Sequence, residues 1–138
     1  MKRIILTCFI LLGLLTSCGI QSLTTDNNYG YVSIECFQAL ENYDHVSVCL
    51  AKDSDWNICY VVSLKNLCDN NNAEMFYDGK NISGNYVLVG TYQYESKGGS
   101  SKTVKALMRK DVYDCLYNNH KEHLINMLDI VLTYNLVK

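Results

Sequence analysis

Cysteine and histidine are the side chains here suited to nucleophilic, redox or metal chemistry, and the chain holds seven cysteines and three histidines. Cys8 and Cys18 lie near the N-terminus. The others, Cys36, Cys49, Cys59, Cys68 and Cys115, form an odd set with no CxxC pair, which removes the usual thiol-redox and zinc-ribbon signals. A disulfide is open to Cys59–Cys68 or Cys68–Cys115, and spacing does not choose between them. His120 and His123 stand three apart with Cys115 before them. Two histidines at that spacing can share a metal, but Cys115 and His120 differ by about 140° in direction around a helix. Lys121 and Glu122 mark a solvated face, so no metal site is expected.

Asp53-Ser54-Asp55-Trp56-Asn57 imitates the opening of a calcium loop. It fails at the sixth place, where Ile58 replaces glycine, and at the twelfth, where Leu64 replaces glutamate. It reads as a turn. Gly98-Gly99 lacks the lysine and helix of a phosphate cradle, and there is no G-x-S-x-G. The expectation is a protein without a cofactor and without enzymatic activity.

The aromatic and basic residues are more informative. Tyr86, Tyr92 and Tyr94 fall on one face of an alternating run with Leu88 and Gly90, a row that can stack a glycan or fill a core. Trp56, the single tryptophan, stands at the tip of the predicted turn, a costly residue to leave wet unless it makes a contact. Between Glu95 and Asp111 lie Lys97, Lys102, Lys105, Arg109 and Lys110 with no acid. Such a strand suits lipid headgroups, an anionic glycan or an acidic partner, or simply guards a sheet edge. Trp56, Tyr86, Tyr92, Tyr94, Lys102, Lys105 and Arg109 are therefore the candidate contact surface.

Strands must position these residues. Val46, Val48 and Leu50 alternate with polar neighbours, as do Ile58, Tyr60, Val62 and Leu64. A three-residue loop at 54–56 pairs Leu50 with Tyr60, Val48 with Val62 and Val46 with Leu64, which gathers the large apolar groups on one face. Cys49 and Cys59 then lie diagonally, about 7–8 Å apart, near or beyond the reach of an unstrained bridge. Cys36 reads as a small core residue on the alternating run from Tyr31. Residues 65–74 are a polar loop, and Met75-Phe76-Tyr77 is a short strand stopped by Asp78-Gly79. Strands over 86–95 and 102–109 flank the turn at 96–101. From Asp111, a candidate helix cap, apolar residues recur at spacings of three and four, predicting a helix over about 111–134 that can break at Asn118-Asn119. The predicted fold is mainly β with a C-terminal helix (α+β), a small five- to six-stranded antiparallel barrel or curved sheet. An OB-like arrangement is open.

A chain of 138 residues, 49% hydrophobic and with net charge −2, is one domain. It carries neither the basic surface of a nucleic-acid binder nor the composition of a disordered chain. Zero proline means only that no Pro-rich linker is present.

Lys2 and Arg3 precede an apolar run from Ile4 to Leu15, shorter than the about 20 residues that span a bilayer. The run fits the apolar region of a secretory signal peptide. With it in register, Leu15-Thr16-Ser17-Cys18 resembles the lipobox of bacterial lipoproteins. The resemblance implies a signal peptide over 1–17, cleavage between Ser17 and Cys18, and acylation of Cys18. Several acyl chains make a durable membrane anchor. Residues 18–30 would be the modified cysteine and a polar tether reaching at most about 35–40 Å, with the domain over 31–138. Gly19, with no acidic cluster behind it, points by the same resemblance to the outer membrane of a Gram-negative cell, facing the periplasm. The order of strands and turns over 75–109 resembles small OB-like or barrel-like lipoprotein domains, which implies no particular activity. The leading expectation is a lipid-anchored accessory module for an envelope protein or glycan. Its rivals are a small-ligand or glycan binder using the tyrosine row, and an enzyme without a recognisable motif.

Overall fold

Alternating apolar residues make strands because successive side chains point to opposite faces, and the period lengthens where the chain turns helical. The computed structural model describes residues 19–20, 28–95 and 98–133. Its strands are β1 (Gly19–Ile20), β2 (Asn28–Val32), β3 (Glu35–Asn42), β4 (Val46–Lys52), β5 (Ile58–Leu64), β6 (Gly84–Glu95) and β7 (Ser101–Arg109). Two helices follow, α1 (Lys110–Asn119) and α2 (Lys121–Thr133). The fold is mainly β with C-terminal helices, as expected.

One sheet runs β1–β6–β7–β5–β4–β3, with β2 also paired to β6. β1 and β2 lie end to end along the same edge of β6, at Gly90–Thr91 and at 84–87. The β4–β5 register is the predicted one: Leu50 faces Tyr60, Val48 faces Val62 and Val46 faces Leu64. The sheet is not wholly antiparallel, however, because β5 and β7 pair in parallel through Tyr60–Ala106. The long segment 65–83 separates β5 from β6, and the β6–β7 hairpin then brings β7 back beside β5 in the same direction.

Met75–Tyr77 is not a strand. The segment instead covers the outer edge of β3: Cys36 N–H donates to Lys80 O (2.8 Å), Gly79 N–H to Cys36 O (2.7 Å) and Ile82 N–H to Ile34 O (3.0 Å). Gly79, at φ 92°, makes the predicted turn. Covering an edge in this way blocks pairing with other chains.

β2 and β3 are consecutive in the chain, separated by Ser33 and Ile34, yet they sit at opposite ends of the sheet. The sheet must therefore curl until its two ends approach. A single bridge, Glu35–Asn81, and the bonds of 34–36 to 80–82 stitch those ends. It is a curved sheet and not a closed barrel.

The segment 18–30 is not a free tether where it is described, because Gly19–Ile20 and Asn28–Gly30 are paired to β6. Strand pairing uses backbone groups, so polar side chains gave no sign of it. Ser17 and Cys18 lie outside the described residues. The helical segment breaks beside Asn118-Asn119, at His120, whose N–H closes α1 on Leu116 O (2.7 Å). α1 springs directly from β7, with Arg109 at the cap position and Asp111 inside the first turn.

Both faces of β4 and β5 are buried. On one face Val48, Leu50, Tyr60 and Val62 meet Leu116, Leu124 and Leu128 of the helices. On the other, within the curl, are Cys36, Cys49, Ala51, Cys59, Val61 and Leu107. Small side chains there let the strands bend tightly, which fits Cys36 as a core residue. Cys68 and Cys115 form a disulfide that joins the 65–73 loop to α1. The bridge closes a loop of sequence separation 47. Replacing both cysteines by serine is expected to lower the unfolding free energy by about 2–4 kcal/mol through the freed unfolded chain. A urea titration with an unchanged midpoint would show that the bridge contributes nothing.

Candidate functional site

The turn between β4 and β5 is built around one carboxylate. Asp53 Oδ1 accepts the N–H groups of Asp55 and Asn57, and its Oδ2 accepts Asn57 Nδ2, each at 2.9 Å. These bonds, those of Asn57 foremost, hold the Asp53 carboxyl below the usual carboxylate range. Trp56 N–H donates to Asp53 O (3.1 Å), and Asp53 N–H to Asn57 O (3.2 Å) closes the loop. A three-residue hairpin of this kind ends on a left-handed residue, a slot that suits glycine. Here it is Trp56, at φ 63°. A residue with a Cβ costs about 1–2 kcal/mol in that conformation.

The strained residue is also exposed. Trp56 keeps 62% of its surface in solvent. Its ring leans on Phe37 at 5.8 Å between centroids, and Lys52 Nζ lies 4.3 Å from the ring centre. Lys52 is in turn 3.8 Å from Glu35 Oε2. The turn is thus a rigid mount for an outward indole. The tip position of Trp56 is legible in the sequence. The organising role of Asp53 is not, because the same D-x-D-x-N spacing also reads as a failed calcium loop.

Parallel pairing of β5 with β7 puts the β4–β5 and β6–β7 turns at the same end of the sheet. Gly19 pairs with Thr91 towards that end. Tyr29, exposed on β2 opposite Tyr86–Val87, has Lys105 Nζ 5.9 Å from its ring centre. A cavity of about 270 Å³ opens between Tyr29 and the β4–β5 turn, walled also by Ile34, Asp53, Asn57, Cys59 and Leu107.

The tyrosine row does not exist as a surface. A register shift between Leu88 and Gly90 changes which face each later residue takes. Tyr86 points into the curl and Tyr92 and Tyr94 towards the helices. Tyr86 and Tyr92 are 0% and 3% exposed. Tyr86 Oη donates to Ile82 O (2.6 Å), and Tyr92 stacks on Tyr60 at 3.7 Å with rings 6° from parallel. Tyr94 is half-buried against the helix-side core. Glycan stacking on this row is thereby overturned.

The basic strand is likewise divided. Lys102 and Lys105 are exposed but belong to opposite faces of β7, and Lys97 lies outside the described residues. Arg109 is not a free contact residue. Its Nε donates to Glu74 Oε1 (2.8 Å) and its Nη2 to Glu74 Oε2 (3.2 Å), with the guanidinium 5.3 Å from the Tyr86 ring. Lys80 Nζ completes the group, 3.2 Å from Glu74 Oε2. The run lacks an acid in sequence because its partner, Glu74, arrives from a distant loop. Lys110 pairs with Asp114 at 2.9 Å. Burial alone would raise the Glu74 carboxyl, but bonding and charge from Arg109 and Lys80 outweigh it and leave it below the usual range. The same pair raises the Arg109 guanidinium further.

Burial pushes the Cys59 thiol up to about 12 and raises Cys36 and Cys49 as well. Thiols so protonated and enclosed are poor nucleophiles. His120 is exposed at the helix break, and no group of three or more metal-ligating side chains converges among the described residues. No family model, curated protein or solved structure matches the chain.

Because the folded state depresses the Glu74 carboxyl, its stabilisation is present above the unfolded value of about 4.3 and is lost as pH falls through the folded one. Glu74→Gln is expected to destabilise by about 2 kcal/mol at pH 7, the scale of charged hydrogen bonds in a partly buried setting. That deficit should shrink at pH 3 in paired denaturant titrations. An equal deficit at both values would remove the ion pair as its cause.

Proposed function

We propose that the chain is a lipid-anchored protein of the cell envelope, held through Cys18 at the outer membrane on the periplasmic side, which engages another envelope component without catalysing a reaction. The contact is made by the end of the sheet that presents Trp56. One observation carries this reading: a bulky aromatic occupies a left-handed slot suited to glycine, at the tip of a tightly bonded hairpin, and stays in solvent. Strain of that kind persists where a function requires it. The Cys68–Cys115 bridge supports an oxidising compartment. Glu74 and Arg109 are spent on each other, and the buried Cys59 thiol stays protonated, which supports binding over catalysis.

Trp56→Gly separates contact from folding, because relief of strain offsets the lost Phe37 contact. Stability is expected to stay within about 1 kcal/mol, while association with envelope components falls at least about ten-fold, the effect of removing an aromatic hot spot. Cross-linking of wild type and variant in intact envelopes reads that loss. Identical adduct patterns would remove Trp56 from the contact. Mass spectrometry of the extracted protein is expected to find acylated Cys18 as the N-terminal residue. Recovery with Met1–Ser17 still attached would overturn the anchor.

A further inference from the structure

We infer that the end of the sheet bearing Trp56 rests on the headgroup layer of the bilayer that holds Cys18, so that the component this rim engages is the lipid surface itself. The inference rests on the anchored reading above and adds an orientation and an occupant to it.

The register of β1 sets the orientation. Gly19 pairs with Thr91 and Ile20 with Gly90, antiparallel to β6. Followed from Ile20 back to Gly19, β1 runs the way β6 does from Gly90 to Thr91, towards the β6–β7 turn. Cys18 is one residue from Gly19, about 3.8 Å between Cα atoms. With Gly19 committed to the sheet, no slack separates the acyl anchor from the folded body. The end of the sheet nearest the anchor must lie close to the membrane.

That same end presents the chemistry of an interface. Indole combines a large apolar ring with one N–H donor, and it partitions to the headgroup region of bilayers. The bond to Asp53 O fixes the Trp56 backbone, and Phe37 and Lys52 pack on its ring, so the ring loses little freedom on contact. Charge is not the main attraction, because exposed Asp55 and Glu95 and half-buried Asp53 outnumber exposed Lys102 there. The anchor supplies a high local concentration, and the aromatic ring supplies the contact.

The single tryptophan makes its emission a report on position 56 alone. The protein is extracted from the envelope, its Cys18 peptide is analysed by mass spectrometry, and the sample is reconstituted into phosphatidylethanolamine–phosphatidylglycerol vesicles. The emission is expected to shift to the blue, and to be mostly lost when acyl chains brominated near the headgroup are included. Both effects should survive about 1 M salt, where the screening length is about 3 Å. Acylated Cys18 with unshifted, unquenched emission would overturn the docked orientation and leave the anchored reading standing. Unmodified Cys18 with unquenched emission would overturn both. Quenching abolished by salt would replace aromatic insertion with charge attraction and overturn the mechanism inferred here.

Discussion

The passage of the chain from β2 to β3 through Ser33 and Ile34 constrains the rest of the molecule. Those two residues join strands that lie at opposite ends of the sheet, so the sheet cannot lie flat. Curling brings Ile34–Cys36 against Lys80–Ile82 and gives the inner face a small radius. Inside the curl the small Cys36, Cys49, Ala51 and Cys59 leave room for the bulky Phe76, Ile82 and Tyr86. Larger side chains would force the strands apart. The curl also accounts for the burial of β4 and β5 on both faces: the inner one is enclosed by the curl and the outer one by α1 and α2.

The curl also decides where polar groups can meet. Segment 65–83 must cross from β5 to β6, and its path takes Glu74 to the end of β7, where Arg109 and Lys80 hold it. The disulfide pins the first part of the same segment to α1. A long loop without regular structure is thus fixed at two points, by an ion pair and by a covalent bridge. Its middle then serves as the cover of the β3 edge.

At the other end of the sheet the balance is different. The β4–β5 turn spends its hydrogen bonds on holding Trp56 in an unfavourable conformation and in water. Glycine at that position would fold the hairpin with less strain. The parallel β5–β7 pairing sets this turn beside the β6–β7 turn, and the short β1 ladder brings the chain next to Cys18 towards the same end.

Much of this was legible in the residues. The alternation over 46–50 and 58–64 specified the β4–β5 register, because a slip of one position would turn every apolar group to the wrong face. The change of period after Asp111 marked helices. What failed were inferences from local pattern about distant neighbours. A bulge between Leu88 and Gly90 separated Tyr86 from Tyr92, and no side-chain pattern announces a bulge. Arg109 read as a free cation because its partner lies 35 residues earlier. Gly19–Ile20 read as tether because backbone pairing leaves no mark on side chains. By itself the sequence determined the strands over 46–50 and 58–64, their shared apolar face and an exposed tryptophan at the turn between them. Only the tertiary structure decided which cysteines bond, which charges are neutralised and which turns share an end, since those depend on strand order and direction, and residues far apart in the chain meet only after the sheet has closed around them.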